Sequence, residues 1–506
     1  MRFPITLCLS LLLPISMLQA ADNASTQASP NIVLFLVDDM GLMDSSLPFL
    51  SDGNGKPVAH PLNEFYHTPS MERLAAQGLR FSQFYANSVC SPTRLTLMTG
   101  QSSARHRTTQ WINSESRNTG PFGPVDWNWE GPDKNSITLT RLLQKAGYRT
   151  IHCGKAHFGP NDHDGENPLN IGFDVNIAGC SYGQPGSYYG TENFGHGNPK
   201  RSSRAVPGLQ KYHGKDIFLT EALTLEMNDE ISKAVKENKP FFAYMSHYAV
   251  HAPFESDPRF AKNDAASGKN KAALAYASMI EGIDKSLGDM MDHLEKLGVA
   301  GNTLILFLGD NGSDAPLGPV HGYSSSAPLR GKKGTHYEGG MRVPFIVSWA
   351  KPSADSPAQK KFPVSKGFLD TKFATICDIF PTLLSLADTK APDTHKVDGE
   401  SLWPTFGGAR GTHPQQFLMH FPHSHRSSYF TVYREHDWKL VYHYLNDQGT
   451  RYELFNLAKD PSEKEECATD KPEVLKRMIK AMQQSLLDAD ALYPISKNGG
   501  KPLKVH

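Results

Sequence analysis

Residues Asn31–Val37 read NIVLFLV and are followed directly by Asp38, Asp39, Met40 and Gly41. A nearly continuous apolar run of this length is typical of a central strand in a parallel sheet, because such a strand is buried on both faces. The pattern recurs four times, at 149–154 (RTIHCG), 240–248 (PFFAYMSHY), 303–310 (TLILFLGD) and 343–349 (VPFIVSW). These stretches predict five strands of one sheet.

Segments with the apolar spacing of helices lie between and after these strands, at 71–79, 137–146, 216–236, 271–297 and 373–386. Strands that alternate with helices indicate an α/β protein in which helices cover the sheet. The sequence therefore predicts an α/β fold with a large mixed, mostly parallel sheet flanked by helices.

The composition changes after a stretch rich in Pro, Asp and Gly at 391–411. Four short segments with alternating polarity follow, at 416–421, 427–434, 437–444 and 451–457, and an amphipathic segment then runs from 472 to about 492. This pattern predicts a smaller C-terminal domain, an antiparallel sheet packed against one helix. We therefore expect a main domain over 31–410 and a C-terminal subdomain over 411–506.

The 506-residue chain carries 52 Lys and Arg against 52 Asp and Glu, so its formal charge is zero. Proteins that bind nucleic acid over their surface usually carry a basic excess, so we expect no nucleic-acid partner. The balance does not exclude a local pocket for one small anion. The length exceeds the roughly 250–300 residues at which single cores usually stop growing, which agrees with two domains.

The first 20 residues read MRFPITLCLSLLLPISMLQA. A positive charge at Arg2, an apolar stretch over 7–18 and a small residue at Ala20 are typical of a secretory signal peptide. A membrane anchor is the alternative, but Pro14 interrupts the run, which is also shorter than the ~20 residues of a spanning helix. We expect residues 1–20 to be removed and residues 21–30 to form a flexible leader. The protein is then periplasmic or secreted, without membrane insertion.

Polar residues cluster where four of the predicted strands end, at Asp38 with Asp39, at 152–157, at 247–251 and at Asp310 with Asn311. Open α/β sheets bind ligands outside the carboxyl ends of their strands, so these clusters predict one shared site. Three carboxylates and an amide oxygen suit Ca²⁺, and less often Mg²⁺, whereas zinc fits this set poorly. Taken alone, the Asp38-Asp39 pair is equally typical of a helix or turn cap.

Removal of the signal peptide leaves an odd number of cysteines: Cys90, Cys153, Cys180, Cys377 and Cys467. In an oxidising compartment at least one of these thiols then stays outside any disulfide within the chain, and the pairing of the other four stays open.

Pro92 pre-sets a first helical turn and so places Cys90 near a helix N-terminus. That position predicts a lowered pKa for the thiol, with Arg94 one turn away on the same face. An ordinary helix start with a semi-buried cysteine fits the same residues.

The segment Cys-Ser-Pro-Thr-Arg at 90–94, with Thr-Gly at 99–100, resembles the C-x-P-[SAT]-R signature of the formylglycine-dependent sulfatases of the alkaline phosphatase superfamily. Thr93 and Met98 are unusual choices in that signature, but neither is the reacting group. Further motifs follow the family's order, at 31–41 (NIVLFLVDDMG), 154–159 (GKAHFG), 250–253 (VHAP), 309–312 (GDNG), 329–344 (LRGKKGTHYEGGMRVP), 378–384 (DIFPTLL) and 452–461 (YELFNLAKDP). The resemblance covers nearly the whole mature chain and implies an alkaline-phosphatase-like fold.

The resemblance implies that a formylglycine-generating enzyme oxidises Cys90 to formylglycine, which would also account for the odd thiol. It implies four metal ligands: Asp38, Asp39, Asp310 and Asn311. It implies roles in sulfate binding and proton transfer for Arg94, Lys155, His157, His251 and Lys333. In the implied reaction, hydrated formylglycine attacks the sulfur atom with help from Asp310. His251, with Lys333, then protonates the leaving alcohol, and His157 assists the release of sulfate.

Some residues next to the predicted pocket residues are expected to have no catalytic role. Lys155 and His157 alternate along a segment expected to be extended, so both can face the pocket while Ala156 faces away. His247 lies four residues before His251 and is expected, at most, to line the pocket. Lys332 lies beside Lys333 and is expected to be solvated.

An insert at 110–133 carries Trp111, Trp127 and Trp129, whose rings can stack on sugar faces or simply pack the loop. Basic residues at 420–426 and a stretch at 180–198 are expected to border the site. Together these features predict an exported sulfatase acting on a sulfated carbohydrate, a glycosaminoglycan or an algal polysaccharide or oligosaccharide. The alternatives are a phosphonate monoester or phosphodiester hydrolase with the same formylglycine site, and a non-catalytic binding protein. The oligomeric state stays open.

Overall fold

The computed structural model describes residues 29–261, 270–317, 325–408, 416–445 and 449–506. The predicted signal peptide, leader residues 21–28 and the predicted boundary at 410/411 lie outside these ranges. The division into 31–410 and 411–506 therefore stays a proposal. Within the described ranges, no helix is both long enough and apolar enough to cross a membrane.

The strands of the described chain are β1 (Asn31–Val37), β2 (Leu50–Ser51), β3 (Pro57–Val58), β4 (Leu79–Tyr85), β5 (Arg149–Gly154), β6 (Val175–Ile177), β7 (Phe241–Ser246), β8 (Thr303–Gly309), β9 (Phe345–Trp349), β10 (Phe368–Thr375), β11 (Gln416–Phe421), β12 (Phe430–Glu435), β13 (Trp438–His443) and β14 (Tyr452–Asn456). Among these residues, eight strands form one sheet in the order β10-β4-β9-β8-β1-β7-β5-β6. Only β9 runs antiparallel to its neighbours in that described sheet, so the predicted mixed, mostly parallel architecture is confirmed.

The α-helices of the described chain are α1 (Pro69–Gln77), α2 (Cys90–Thr99), α3 (Ser103–His106), α4 (Leu139–Lys145), α5 (Leu219–Lys236), α6 (Lys271–Lys296), α7 (Glu338–Met341), α8 (Pro357–Lys361), α9 (Ile379–Leu386), α10 (Trp403–Phe406) and α11 (Pro472–Asp488). Helices α1, α5 and α6 cover one face of the large sheet, and helices α2, α4 and α9 cover the other. On one face Val33 and Phe35 of β1 belong to a core shared with α1, α5 and α6, and on the other face Ile32 and Leu34 belong to a core shared with α2, α4 and α9. This two-sided burial explains why β1 is apolar at every position but its first.

The C-terminal strands form a separate antiparallel sheet in the order β11-β12-β13-β14. Helix α11 packs on one face of it through Met478 and Met482, which share a core with Leu440. The other face packs toward the large sheet, where Phe430 shares a core with Tyr85 of β4. The predicted antiparallel sheet with one packed helix is confirmed.

The sequence pattern is wrong at several element ends. Phe373, predicted to begin a helix, lies in strand β10, and the helix begins only at Ile379. Leu79, predicted to end a helix, begins strand β4, because α1 stops at Gln77. Strands β4, β6 and β10 were not predicted, since none of them is a long, continuous apolar run.

Candidate active site

The central strands bring the predicted polar clusters to one edge of the sheet. Strands β8, β1, β7 and β5 are neighbours in that order and run parallel, so their carboxyl ends lie side by side. Asp310 follows β8, Asp38 follows β1 and Lys155 follows β5, and all three are fully buried. Asp39 has a left-handed backbone, with φ of 58°, and its N–H donates to Asp310 Oδ1 at 3.0 Å. The strand order therefore assembles one site from residues up to 272 positions apart.

Buried oxygen atoms gather at this edge in a form that fits a hard cation. Oxygen atoms of Asp38 and Asp310 lie with Cys90 Sγ within 4.8 Å of one another, and Asp39 forms a similar group with Cys90 and His251. Asn311 donates through Nδ2 to Asp39 Oδ1 at 3.0 Å, while its Oδ1 is buried without a hydrogen-bond partner among the described residues. An orphaned amide oxygen beside three buried carboxylates is the donor set that calcium prefers.

Three buried cations balance these carboxylates. Arg94 donates to Asp310 Oδ2 through Nε at 3.1 Å and through Nη2 at 2.8 Å. Lys155 Nζ lies 2.6 Å from Asp38 Oδ2, and Lys333 Nζ lies 2.6 Å from Asp39 Oδ1. Each carboxylate therefore has a close cationic partner, and Arg94 also lies 3.7 Å from Asp38 Oδ1, which offsets the cost of removing the carboxylates from water.

The pKa values of Asp39 and Asp310 shift in opposite directions because their charged neighbours differ. Burial tends to raise the pKa of Asp39, but Lys333, His251 and Lys155 together hold it well below its usual range. Burial and the nearby Asp38 raise the pKa of Asp310 to about 6, against the opposing effect of Arg94. Of these two carboxylates, Asp310 therefore binds a proton more readily than Asp39 does.

Cys90 begins helix α2, as its sequence setting predicts. Its Sγ lies 3.6 Å from Asp38 Oδ1 and is buried. The prediction of a lowered thiol pKa is wrong, because burial raises the pKa of Cys90 to about 12 despite Lys155 and Lys333 nearby. Desolvation of the thiolate outweighs the helix N-terminus and the cations. Cys90 is thus not poised as a thiolate nucleophile.

His157 is held with one ring nitrogen free. Its Nε2 lies 2.6 Å from the carbonyl oxygen of Ile112 and must donate to it, so Nδ1 carries the lone pair in the neutral ring. Nδ1 is buried without a hydrogen-bond partner among the residues described. Burial and Lys155 lower the pKa of His157 well below its usual value. The segment is not simply extended as predicted, because His157 has a left-handed backbone with φ of 55°.

His251 presents its other nitrogen to the acidic cluster. Its Nδ1 donates to the carbonyl oxygen of Ala252 at 2.9 Å, and Nε2 lies 3.7 Å from Asp39 Oδ2. Burial and Lys333 lower the pKa of His251 to about 4.

His247 lies away from this acidic cluster. It is fully buried and its Nε2 pairs with Ser286 Oγ at 2.9 Å, so the expectation that it lines the pocket is wrong.

These groups open into one cavity of about 360 Å³. Its described lining consists of Val89, Cys90, Trp111, Ile112, Asn113, Ser114, His157, Tyr182, Gly183, Gln184, Arg204, His251, Ala252, Asp314, Lys333, His425 and Arg426. Arg94 and Lys155 are not part of that lining, although the sequence placed both in the pocket. They lie beneath it, where their contacts are with Asp310, Asp38 and neighbouring backbone.

Comparison with known proteins identifies the family of this site. A sulfatase family model matches residues 30–389, which is more than half of the chain. The chain belongs to the sulfatase family. A second model, described as N-sulphoglucosamine sulphohydrolase, C-terminal, matches residues 332–491. The protein is therefore a sulfuric ester hydrolase, and the predicted family is confirmed.

Relatives of the sulfatase span most of its length. It is 32% identical over 402 residues to N-acetylgalactosamine-6-sulfatase of Mus musculus, in an alignment that covers 76% of this chain and 67% of the relative. It is 26% identical over 515 residues to a sulfatase of Formosa agariphila, with 89% of this chain and 88% of the relative covered. The crystal structure of Ps i-CgsB in complex with k-i-k-neocarrahexaose matches with a TM-score of 0.69 at 25% identity, over 91% of this chain and 93% of that one. The alkaline-phosphatase-like fold is thereby confirmed.

The rim of the sulfatase cavity differs in part from the sequence prediction. Trp111 lines it, but Trp127 is buried, with its Nε1 donating to Thr119 Oγ1 at 3.0 Å. Trp129 packs against His163 outside the cavity lining. Stacking on a sugar is therefore excluded for Trp127 and open to Trp111. Trp127 and Trp129 therefore pack the loop, which is the second of the two interpretations that the sequence allowed.

Basic groups at the rim come from two segments. His425 and Arg426, inside the predicted segment 420–426, line the cavity, whereas His420 and His423 are buried elsewhere. Arg204 also lines the cavity and was missed, because an isolated arginine in a loop carries no motif. The predicted stretch 180–198 contributes Tyr182, Gly183 and Gln184.

The remaining cysteines of the sulfatase form no disulfide among the described residues. Cys90, Cys153, Cys180, Cys377 and Cys467 are all free thiols. Cys153 and Cys377 are buried, and burial raises the pKa of both well above the usual value. These two are inert structural thiols rather than reactive ones.

Proposed function

We propose that the protein is an exported sulfatase that removes sulfate from a sulfated carbohydrate, using formylglycine at position 90 and Ca²⁺. The observation that carries this proposal is the convergence of Cys90, His157, His251 and Lys333 on one cavity directly above the buried carboxylates. Export rests on the N-terminal sequence. Maturation by a formylglycine-generating enzyme rests on the C-x-P-x-R motif at 90–94.

The donor set fits the proposed cation. Asp38, Asp39, Asp310 and Asn311 would hold Ca²⁺, and Arg94 positions Asp310 with two hydrogen bonds to one oxygen. The ion would supply positive charge for the sulfate oxygens, and formylglycine would supply the attacking hydroxyl group. Lys333 adds a cation at the cavity wall, where it meets the negative charge that a sulfate ester carries.

Both histidines line the cavity and suit proton transfer there. His157 has its Nε2 proton fixed by the Ile112 carbonyl, which leaves Nδ1 free to accept a proton. His251 and Lys333 both lie beside Asp39. Lys333 holds the proton that the leaving alcohol needs, and His251, whose Nε2 is unprotonated near pH 7, would pass that proton from Lys333 to the alcohol.

The proton-donor role of His251 predicts a dependence on the leaving group. His251→Ala should slow hydrolysis of a sugar sulfate by about 10²–10³-fold, but hydrolysis of 4-nitrophenyl sulfate by less than about tenfold, because nitrophenolate leaves without a proton. The measurement is kcat on both esters. Lys332→Ala serves as the control, since Lys332 is about half exposed and pairs only weakly with Asp314 at 3.7 Å. Equal losses on both esters would exclude this role.

The carbohydrate substrate is supported by the shape and chemistry of the rim. A cavity of about 360 Å³ suits one sugar ring with its sulfate, and Trp111 and Tyr182 offer aromatic faces beside it. Arg204 is exposed, and its guanidinium has no hydrogen-bond or ion-pair partner among the described residues. One matched relative is named N-acetylgalactosamine-6-sulfatase, and one matched crystal structure is of a complex with k-i-k-neocarrahexaose.

Trp111 is predicted to contact the sugar. Trp111→Ala should lower kcat/KM on a sulfated oligosaccharide about tenfold and leave 4-nitrophenyl sulfate within about twofold, because one stacked ring contributes roughly 0.5–1.5 kcal/mol. Trp129→Ala is the matched control, since Trp129 lies outside the cavity lining. If both variants lose the same amount, Trp111 acts through the loop rather than through the sugar.

The experiment that tests the proposed function compares ester classes. Matured protein is given sulfated glycosaminoglycan and algal oligosaccharides, 4-nitrophenyl sulfate and an aryl phosphodiester, with the desulfated position determined by NMR. We expect kcat/KM to be highest on one sulfated oligosaccharide. A preference of several decades for the phosphodiester would instead support the phosphonate monoester or phosphodiester hydrolase alternative.

A further inference from the structure

A second cluster of ligand-type side chains lies away from the cavity lining, where the C-terminal sheet meets the main domain. His443 ends strand β13, Glu453 lies on the neighbouring strand β14, and His336 comes from the loop that precedes helix α7. One ligand atom from each of the three lies within 4.8 Å of the others. Val441 of β13 pairs with Glu453 of β14, so His443, two residues after Val441, lies on the same face of the sheet as Glu453.

Both imidazole rings aim Nε2 at the same carboxylate oxygen. His443 Nε2 lies 2.7 Å from Glu453 Oε1, and His336 Nε2 lies 3.4 Å from the same atom. His336 Nε2 is buried without a hydrogen-bond partner among the described residues. Its other nitrogen, Nδ1, lies 3.0 Å from Ser427 Oγ, whose hydroxyl group can donate to it, and in that tautomer the Nε2 lone pair is directed into the cluster.

The carboxylate of Glu453 also lacks a permanent cation. Its side chain is only 11% exposed, and within the described chain its ion-pair contacts are with the two histidines alone. The buried Lys439 is already paired with Glu338 and Glu463. A buried carboxylate without a cation is costly, which favours a bound metal ion at this point.

We propose that His336, His443 and Glu453 form a zinc site that fastens the main domain to the C-terminal sheet. Two imidazole nitrogens and one carboxylate oxygen are a typical zinc ligand set, with water at the fourth position. A zinc ion at ligand distances of roughly 2.0–2.2 Å replaces the direct contact between His443 and Glu453 and gives His336 Nε2 its missing partner. The loop held by His336 also carries Lys333 into the catalytic cavity, only three residues away.

Zinc content of the full chain tests this site independently of catalysis. The protein is saturated with zinc in excess Ca²⁺, so that calcium occupies the active-site carboxylates, then passed through a desalting column and analysed by mass spectrometry for metals. We expect about one zinc per chain in the parent and less than about 0.2 in His443→Gln and in Glu453→Gln. His395→Gln, which removes a histidine bonded to the Thr99 carbonyl, should keep the parent's zinc. A parent zinc content no higher than that of Glu453→Gln would overturn the proposal.

A measurement on the unaltered chain covers the case in which the variants fail to fold. Crystals soaked in zinc should give an anomalous scattering peak between the rings of His336 and His443 at the zinc absorption edge. Zinc should also raise the thermal midpoint of the parent by a few degrees and leave that of Glu453→Gln unchanged, because a ligand that binds only the folded state stabilises it. Absence of the anomalous peak at saturating zinc would overturn the proposal. The sulfatase proposal would be unaffected, since it rests on the other cluster.

Discussion

Cys90→Ala is expected to lower kcat/KM on every sulfate ester by on the order of 10⁵-fold or more, because it removes the residue proposed to carry the nucleophile. Sulfate binding should survive, since Lys333 and the histidines around the cavity are unchanged. The fold should survive too. Among the described residues the Cys90 thiol makes one weak hydrogen bond, with Asp38 at 3.6 Å, so its loss should cost no more than about 1–2 kcal/mol of unfolding free energy.

The matched control for this prediction is Cys153→Ala. Cys153 is another fully buried thiol, on strand β5, whose Sγ donates within the described chain to the Leu223 carbonyl alone, at 3.4 Å. This control should keep at least about half of the parent rate, because its side chain is remote from the cavity. Rates are measured on one sugar sulfate, with circular dichroism to compare thermal midpoints. A Cys90→Ala protein with substantial turnover would contradict a nucleophile at position 90.

Removal of calcium is expected to have the second largest effect. Chelation should reduce activity to below about 1% and lower the thermal midpoint, since three buried carboxylates would then lack the ion that offsets their repulsion. Added Ca²⁺ should restore both. In Asp310→Asn the activity should be lower by on the order of 10³-fold and Ca²⁺ should restore nothing, because one ligand charge is lost and Arg94 loses the nearer of its two anionic partners, Asp310 at 2.8 Å and Asp38 at 3.7 Å.

Asp398→Asn is the control for the calcium prediction. Asp398 lies outside the cavity lining and pairs with Arg105 at 2.8 Å, with both side chains partly exposed. Its activity should stay within about twofold of the parent, and it should lose and regain that activity with Ca²⁺ as the parent does. If the chelated parent turns over at its full rate, the oxygen cluster does not serve a catalytic metal.

The central strands were predictable because their environment leaves a strong local signal. Strands β1, β7 and β8 are buried on both faces and are therefore apolar along nearly their whole length. The missed strands lie at or near the sheet margins. Edge strand β10 reads FLDTKFAT, with Thr371 exposed and Lys372 half-buried in its middle, and edge strand β6 has only three residues. Short or half-exposed strands do not produce a continuous apolar run.

The candidate site was predictable to the extent that its residues follow strand ends. Asp38, Lys155 and Asp310 were placed together by the general position of ligand sites in α/β sheets, and the structure brings them together. The thiol pKa of Cys90 was predicted in the wrong direction, because desolvation depends on the whole tertiary environment. The exposed Arg204 carries no sequence signal, since loop folding alone brings it to the cavity.

The most direct test relates the state of residue 90 to activity. Protein is produced with increasing amounts of a formylglycine-generating enzyme, and mass spectrometry of the peptide between Arg80 and Arg94 gives the fraction of Cys90 converted to the lighter aldehyde. Specific activity on a sulfated oligosaccharide is measured for each preparation. We predict a straight line that passes through zero activity at zero conversion. Full activity in a preparation whose residue 90 is entirely thiol would contradict sulfate ester hydrolysis by a formylglycine nucleophile.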